Sequence, residues 1–325
     1  FVFDEGVSAA RLIYAGVLER FPRLKLCIVH GGGFFPILLG RLDHGYKVRP
    51  ECRAAIPEPP SVYAERLYFD SITHSPKALS HLLAKAAPGT SSWGATIPST
   101  WARIPREGRS ATCRAWMKGP AGTSWEETPS AFSAWKDRKT ADARRRPHPF
   151  HPGRLFGGDP NQGGLLPHPR KNANGELVIL TGSYRFPVST ALRAPEAHLA
   201  RMETAGVDLH VISPPTFMFH YSDSPERALE LARVVNDAYA EIVRAHPGRF
   251  PAMGTVPLQD PESACAELRR VREELGMRAV EIGSSIHGLP LDDPSLDPFF
   301  AEAESLRVFV FVHPYSQWLI GQDHL

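Results

Sequence analysis

Two short aliphatic runs, far apart in the chain, each end in a histidine. Leu24-Lys25-Leu26-Cys27-Ile28-Val29 delivers His30 and then Gly31-Gly32-Gly33. Val308-Phe309-Val310-Phe311-Val312 delivers His313 and then Pro314. Runs this short and this rich in branched residues read as buried strands, and the three glycines as a tight turn that lets backbone approach a ligand. Between such runs lie helical stretches of ten or more residues, and strands alternating with helices indicate parallel βα units. In a (β/α)8 barrel the chemistry sits at the C-terminal strand ends, where both histidines fall.

In chain order, Ser8 to Arg20 is expected as one amphipathic helix, ended by Phe21-Pro22. A helix from Phe35 to His44, a proline-rich loop around Pro57-Glu58-Pro59-Pro60, a strand from Leu67 to Asp70 and a helix from Pro76 to Lys85 follow. The pattern then stops and resumes near Glu176. Helices are expected over Pro195 to Ala205, Pro225 to Ala245, Pro261 to Leu275 and Phe299 to Leu306. Strands are expected over Leu209 to Ser213, Pro251 to Val256, Ala279 to Ile282 and the run to His313. Six strands are legible, two short of a closed barrel.

The interruption has its own composition. From Ala84 to Arg154 there is no leucine or valine, and Ile97 and Ile104 are the only isoleucines. Five of the six tryptophans (Trp93, Trp101, Trp116, Trp125 and Trp135) crowd into it. Residues 88–171 carry 14 Lys and Arg against 6 Asp and Glu, while the remainder carries 23 against 29. A stretch so poor in aliphatics builds no core, so disorder is the expectation for it. Three segments result: 1–87, 88–171 and 172–325. The basic run Arg144-Arg145-Arg146 reads as solvated surface, and no nucleic-acid partner is expected.

Across all 325 residues the net charge is +2. Cys27, Cys52, Cys113 and Cys265 are widely spaced without a CxxC pair, which reads as reduced thiols and a cytoplasmic setting. No apolar run nears the roughly 18 residues that span a membrane, so no membrane partner is expected. A first residue of Phe1 and an abrupt end at Leu325 read as a fragment.

At the two histidines the chain resembles the amidohydrolase-related decarboxylases typified by aminocarboxymuconate-semialdehyde decarboxylase. The strings that carry the resemblance are Gly16-Val17-Leu18-Glu19-Arg20-Phe21-Pro22, His30-Gly31-Gly32-Gly33 and Gly40-Arg41-Leu42-Asp43-His44-Gly45. In the second half they are Ala205-Gly206-Val207-Asp208, Gly254-Thr255-Val256-Pro257-Leu258-Gln259 and Val312-His313-Pro314. Residues 1–87 resemble the family's C-terminal half and 172–325 its N-terminal half, so the halves stand in permuted order.

The resemblance implies an α/β fold, a (β/α)8 TIM barrel of the amidohydrolase type, permuted and incomplete. It implies a divalent metal, zinc or alternatively manganese, and a non-oxidative carboxy-lyase acting on a small aromatic or unsaturated carboxylic acid. A metal hydrolase on the same fold and an inactive product of a misframed gene are the alternatives. By resemblance His30 is the catalytic acid/base, His313 a metal ligand, and Arg185 the partner of a substrate carboxylate, with Tyr315 lining the pocket. A homodimer is the expected assembly. Each assignment competes with a plainer one: a hydrogen-bonded core histidine, or a surface salt bridge for Arg185.

Two of the family's metal-site motifs, an HxH strand end and a Gly-Ser/Thr-Asp-Tyr-Pro-Phe strand end, are absent from the sequence as translated. The codons of Trp93 to Trp101 can read Leu-Gly-Ser-Asp-Tyr-Pro-Phe-Asp-Met in another frame. Those of Arg145 to Asp159 can read Asp-Val-His-Thr-His-Phe in another. The expectation is of two neighbouring genes joined through a misframed middle, and the underlying DNA tests it. Phe217-Met218-Phe219 is expected in core more than in the pocket, and His44 and His74 in structural roles. His148, His151 and His168 read as loop histidines.

Overall fold

The computed structural model describes residues 2–85, 170–171, 177–181, 184–187, 195–205 and 209–315. The expectations for 88–169, with His148, His151 and His168, lie outside the described residues, as does Cys113.

The first segment folds as α1 (Val2–Tyr14), α2 (Val17–Arg20), β1 (Lys25–Ile28), α3 (Phe35–Val48), α4 (Pro60–Ala64), β2 (Tyr68–Phe69) and α5 (Pro76–Lys85). The single helix expected over 8–20 is two. Gly16 adopts φ +72, a left-handed conformation that ends α1, and a Cβ there would sit 2.6 Å from the Ala55 carbonyl oxygen. The helix also starts earlier than expected, with Asp4 and Glu5 in its first turn, where the helix dipole favours acidic groups.

An antiparallel sheet of β3 (Arg170–Lys171), β4 (Leu177–Thr181) and β5 (Tyr184–Pro187) follows, which the sequence reading did not foresee. Next come α6 (Pro195–Ala205), α7 (Pro225–Ala245), β6 (Met253–Gly254), α8 (Pro261–Glu273), β7 (Ala279–Gly283), a small hairpin of β8 (Ser285–Ile286) and β9 (Leu289–Pro290), α9 (Asp297–Ser305) and β10 (Phe309–His313). Three of these helices carry proline at the first position and α9 carries Pro298 at its second, where the missing N–H costs nothing. Ser224 and Asp260 cap α7 and α8 by accepting from the Arg227 and Ser263 N–H groups. The strand expected over 209–213 reduces to one parallel bridge, Ile212 to Ala252. Pro251 and the Pro214-Pro215 pair lack the donors that a longer ladder needs.

The main sheet is wholly parallel in the order β2-β1-β10-β7-β6, and the Ile212 bridge extends it beyond β6. Read from that bridge inwards, the strands follow the sequence from 212 to 313 and then restart at 25. Helix α1 therefore fills the crossover position between β10 and β1, and the chain's two segments form one sheet. Ser8 Oγ donates to the Ser284 carbonyl at 3.1 Å across the seam. Arg11 grips Asp292 through two bonds of 2.7 and 3.1 Å, and Arg20 meets Asp297 at 2.8 Å.

Alternation sorts the strands' side chains. Leu26, Ile28, Val280, Ile282, Val310 and Val312 pack outward with the helices in the large core. Cys27, Val29, Met253, Ala279, Phe309 and Phe311 form a second cluster on the inner face. Near-continuous burial of both faces is the signature of a parallel sheet covered on each side. No helix among the described residues is long and apolar enough to cross a membrane. Cys27, Cys52 and Cys265 form no disulfide among the described residues, in line with the reduced thiols expected.

Candidate active site

The C-terminal ends of β1, β2, β7 and β10 bring together His30, Asp70, Glu281 and His313. Backbone strain marks the first of these. His30 stands at φ +50, and Gly31, Gly32 and Gly33 follow at +65, +77 and +59. A non-glycine residue in the left-handed region costs free energy and persists where its surroundings hold it, which active sites do. Here the holders are visible. The Gly31 N–H donates to Asp70 Oδ1 at 2.8 Å, and the Ile72 N–H donates to the same oxygen at 3.1 Å. A Cβ on Gly32 would lie 2.6 Å from the Phe69 ring, so only glycine fits the turn.

His30 Nδ1 is hydrogen-bonded to Glu5 Oε1, from the first turn of α1. Glu5 is fully buried, and its Oε2 has no hydrogen-bond partner among the described residues. Burial opposes a charged His30 ring, but the bond and charge of Glu5, aided by Asp70, prevail and raise its pKa. Burial raises the Glu5 and Asp70 carboxyls as well. With Nδ1 bound to Glu5, Nε2 is the nitrogen left for a ligand.

The His313 ring lies 5.3 Å from the His30 ring, at 72°. Its environment acts the other way. Burial pushes its pKa down to about 4, and the neighbouring His30 adds to the effect. Nδ1–H donates to the Pro314 carbonyl at 3.0 Å, a tautomer assigned from that bond, which leaves the Nε2 lone pair as an acceptor. Two adjacent imidazoles are thus held apart in protonation, one favouring charge and one neutral. Separation of this kind assigns an acid and an acceptor to a site.

Glu281 completes the inner face. It is 3% exposed, and burial pushes its pKa up to about 8 against a bond from Ser213 and the charge of His30. Glu5, Asp70 and Glu281 are the members that sequence reasoning missed. Glu281 was legible as the one charge in the aliphatic run Ala279-Val280-Glu281-Ile282, whereas Glu5 and Asp70 meet His30 only through the fold.

Two further residues were expected at the site, Tyr315 and Arg185. Tyr315 is buried against Tyr221 and Phe219, at ring distances of 5.2 and 5.8 Å, and its N–H donates to Ser284 Oγ at 3.3 Å. It forms a wall behind β7 and β10. Arg185 lies on β5 opposite Leu180, and its side chain is outside the described residues. Met218 and Phe219 are core, as expected, while His44 and His74 are exposed.

A divalent metal needs more than these residues offer. Among the described residues no three His, Cys, Asp or Glu side chains converge in a geometry that could hold a metal ion. The described site therefore does not fit the metal centre that the resemblance implies.

Known proteins resemble parts of this chain. Residues 178–322 match the family described as Amidohydrolase. This segment is similar to that family. The chain is 36% identical over 148 residues to 2-amino-3-carboxymuconate-6-semialdehyde decarboxylase of Dictyostelium discoideum, covering 46% of this chain and 41% of that protein. It is similar to the crystal structure of 2,6-dihydroxybenzoate decarboxylase from Rhizobium, at 31% identity and a TM-score of 0.36, over 38% of this chain and 40% of that one. A dihydroxybenzoic acid decarboxylase from Polaromonas, solved with bound manganese, is 29% identical with a TM-score of 0.36, over 38% and 39%. The chain spans about two fifths of the length of the curated relative it matches. The matched segment contains β7, β10 and His313, and the first segment brings His30 beside it.

Proposed function

We propose that this chain is a permuted relative of the metal-dependent decarboxylases and acts on a small aromatic carboxylic acid by non-oxidative loss of CO2. The observation that carries the reading is the strained, Glu5-bound His30 beside the neutral His313. A ring whose charged form is favoured by Glu5 can give a proton from Nε2 to the ring carbon that bears the carboxylate. The C–C bond then breaks, the carboxyl group leaves as CO2, and its electron pair restores the aromatic ring. Glu5 stabilises the charged His30 before transfer and would accept its second N–H afterwards. Arg185 is proposed to pair with the substrate carboxylate. Zinc or manganese is the cofactor of the reading, with His313 as one ligand. The described residues supply no complete site for it, and no step is routed through it.

One observation favours a second reading. The HxH and Asp strand ends are absent from the sequence, and no three-ligand cluster forms among the described residues. On that reading the chain binds an aromatic acid without turning it over. Cysteines outside disulfides suit a reducing, cytoplasmic location, and segments 1–87 and 172–325 are proposed as one barrel unit.

Measuring CO2 release from 2,6-dihydroxybenzoate, with zinc or manganese added, separates the two. The first reading expects turnover that falls by a factor of about 100 or more in His30→Ala. Ligand binding without CO2 release, and under one metal ion per chain, overturns it in favour of the second.

A further inference from the structure

Glu281 is the buried acid on the inner face that the proton-transfer scheme leaves unused. Strand parity puts it there, because Ala279 belongs to the inner cluster while Val280 and Ile282 pack outward in the large core. It stands in register with Phe311, two residues below His313, which is opposite Gly283. One carboxyl oxygen is bonded to Ser213, and Oε2 is buried without a partner among the described residues. His30 is close enough for the two charges to interact.

For an ionised carboxylate in this position the loss of hydration outweighs the Ser213 bond and the His30 charge. The group therefore holds its proton at neutral pH, in line with a pKa pushed up to about 8. A neutral carboxylic acid is a hydrogen-bond donor, whereas an ionised one only accepts. A donor fixed below the strand ends suits an anionic oxygen and repels nothing.

We infer that Glu281 is a ligand-recognition residue: its carboxyl group donates a hydrogen bond to an anionic oxygen of the bound acid, with Ser213 orienting the other oxygen. The inference rests on the aromatic-acid reading proposed above and deepens it. It involves no covalent change, only a proton shared between two carboxyl groups.

Calorimetric titration of the full chain with 2,6-dihydroxybenzoate, and with resorcinol as the analogue without a carboxylate, tests it. Glu281→Gln keeps a donor and is expected to hold the acid within about threefold of the unsubstituted affinity. Glu281→Leu removes the donor and is expected to weaken the acid by about tenfold or more, with resorcinol unchanged. Ser213→Ala leaves the core untouched and should weaken the acid severalfold, which covers a Glu281→Leu chain that fails to fold. A merely structural role would move both ligands together. The assignment is overturned if Glu281→Leu, or Ser213→Ala in its place, binds the acid as tightly as the unsubstituted chain. It is equally overturned if Glu281→Gln falls as far as Glu281→Leu, or if acid and resorcinol weaken in proportion. An unsubstituted chain that binds neither compound overturns the aromatic-acid reading itself, and the role of Glu281 with it.

Discussion

Glu5 shows how one side chain sets another's chemistry. Its carboxylate raises the pKa of His30 against the penalty of burial. Glu5→Gln keeps the shape and removes the charge, so the His30 pKa should fall, as read by NMR titration of the ring. An unchanged His30 titration would show that Glu5 is only packing. Gly32 makes a separate case, with φ +77 and no room for a Cβ beside Phe69. Gly32→Ala should cost roughly 2–4 kcal/mol, measured by denaturant unfolding, because strain and overpacking add. The importance of His30 was legible in its place between an aliphatic run and three glycines. Glu5 was not, because it lies 25 residues earlier in a helix whose first turn carries two acids. Nothing in their spacing says which of Asp4 and Glu5 will meet the histidine.

At the level of elements, α7 and α8 are joined by a buried polar network. Glu267 has no exposure and accepts from Asn236 at 2.7 Å and from Arg270 at 2.8 and 2.9 Å. Asn236 in turn holds both polar groups of the Thr255 backbone, at 2.8 and 2.9 Å, beyond β6. Glu267→Ala should therefore cost about 2–4 kcal/mol, since it removes a buried carboxylate's bonds from Asn236 and Arg270, although Arg270 keeps Asp237 and Asn236 keeps Thr255. Asp260→Ala removes only a cap from α8 and should cost about 1 kcal/mol. Thermal melts of the two variants should rank in that order, and equal losses would mean that the network is not buried as a unit. The helices themselves were legible to within a few residues from their leading prolines and apolar spacing. The strands were less so, and 209–213 reduces to a bridge because prolines flank its pairing with Ala252.

For the whole molecule, stability depends on pH through groups that act in opposite directions. His210 is 5% exposed, and burial, with His198 beside it, pushes its pKa down to about 4. The unfolded chain takes up that proton near pH 6.5, so stability is lost as pH falls from about 6.5 to 4, by up to about 3 kcal/mol. Glu281 has the reverse sign. Its pKa is raised from 4.5 to about 8, so the stability it confers is present below pH 4.5 and lost as pH rises towards 8. Melting temperature followed against pH should thus fall on the acid side less steeply in His210→Phe. On the alkaline side Glu281→Gln should melt above the unsubstituted chain at pH 8 and level with it at pH 5. A Glu281→Gln chain with the original alkaline slope would assign that slope to another group.

By itself the sequence determined the class of fold and the two histidines. Aliphatic runs and helical spacing are local properties, and a histidine at a strand end can be read without knowing its neighbours. Only the tertiary structure decided the order of the strands. Parallel pairing of β1 with β10 sets residues 25–28 against 309–312, across nearly the whole length of the chain. That seam brings the two histidine rings to 5.3 Å. Burial then decides their chemistry. The same imidazole group favours its charged form beside a buried carboxylate and its neutral form where backbone and apolar side chains enclose it.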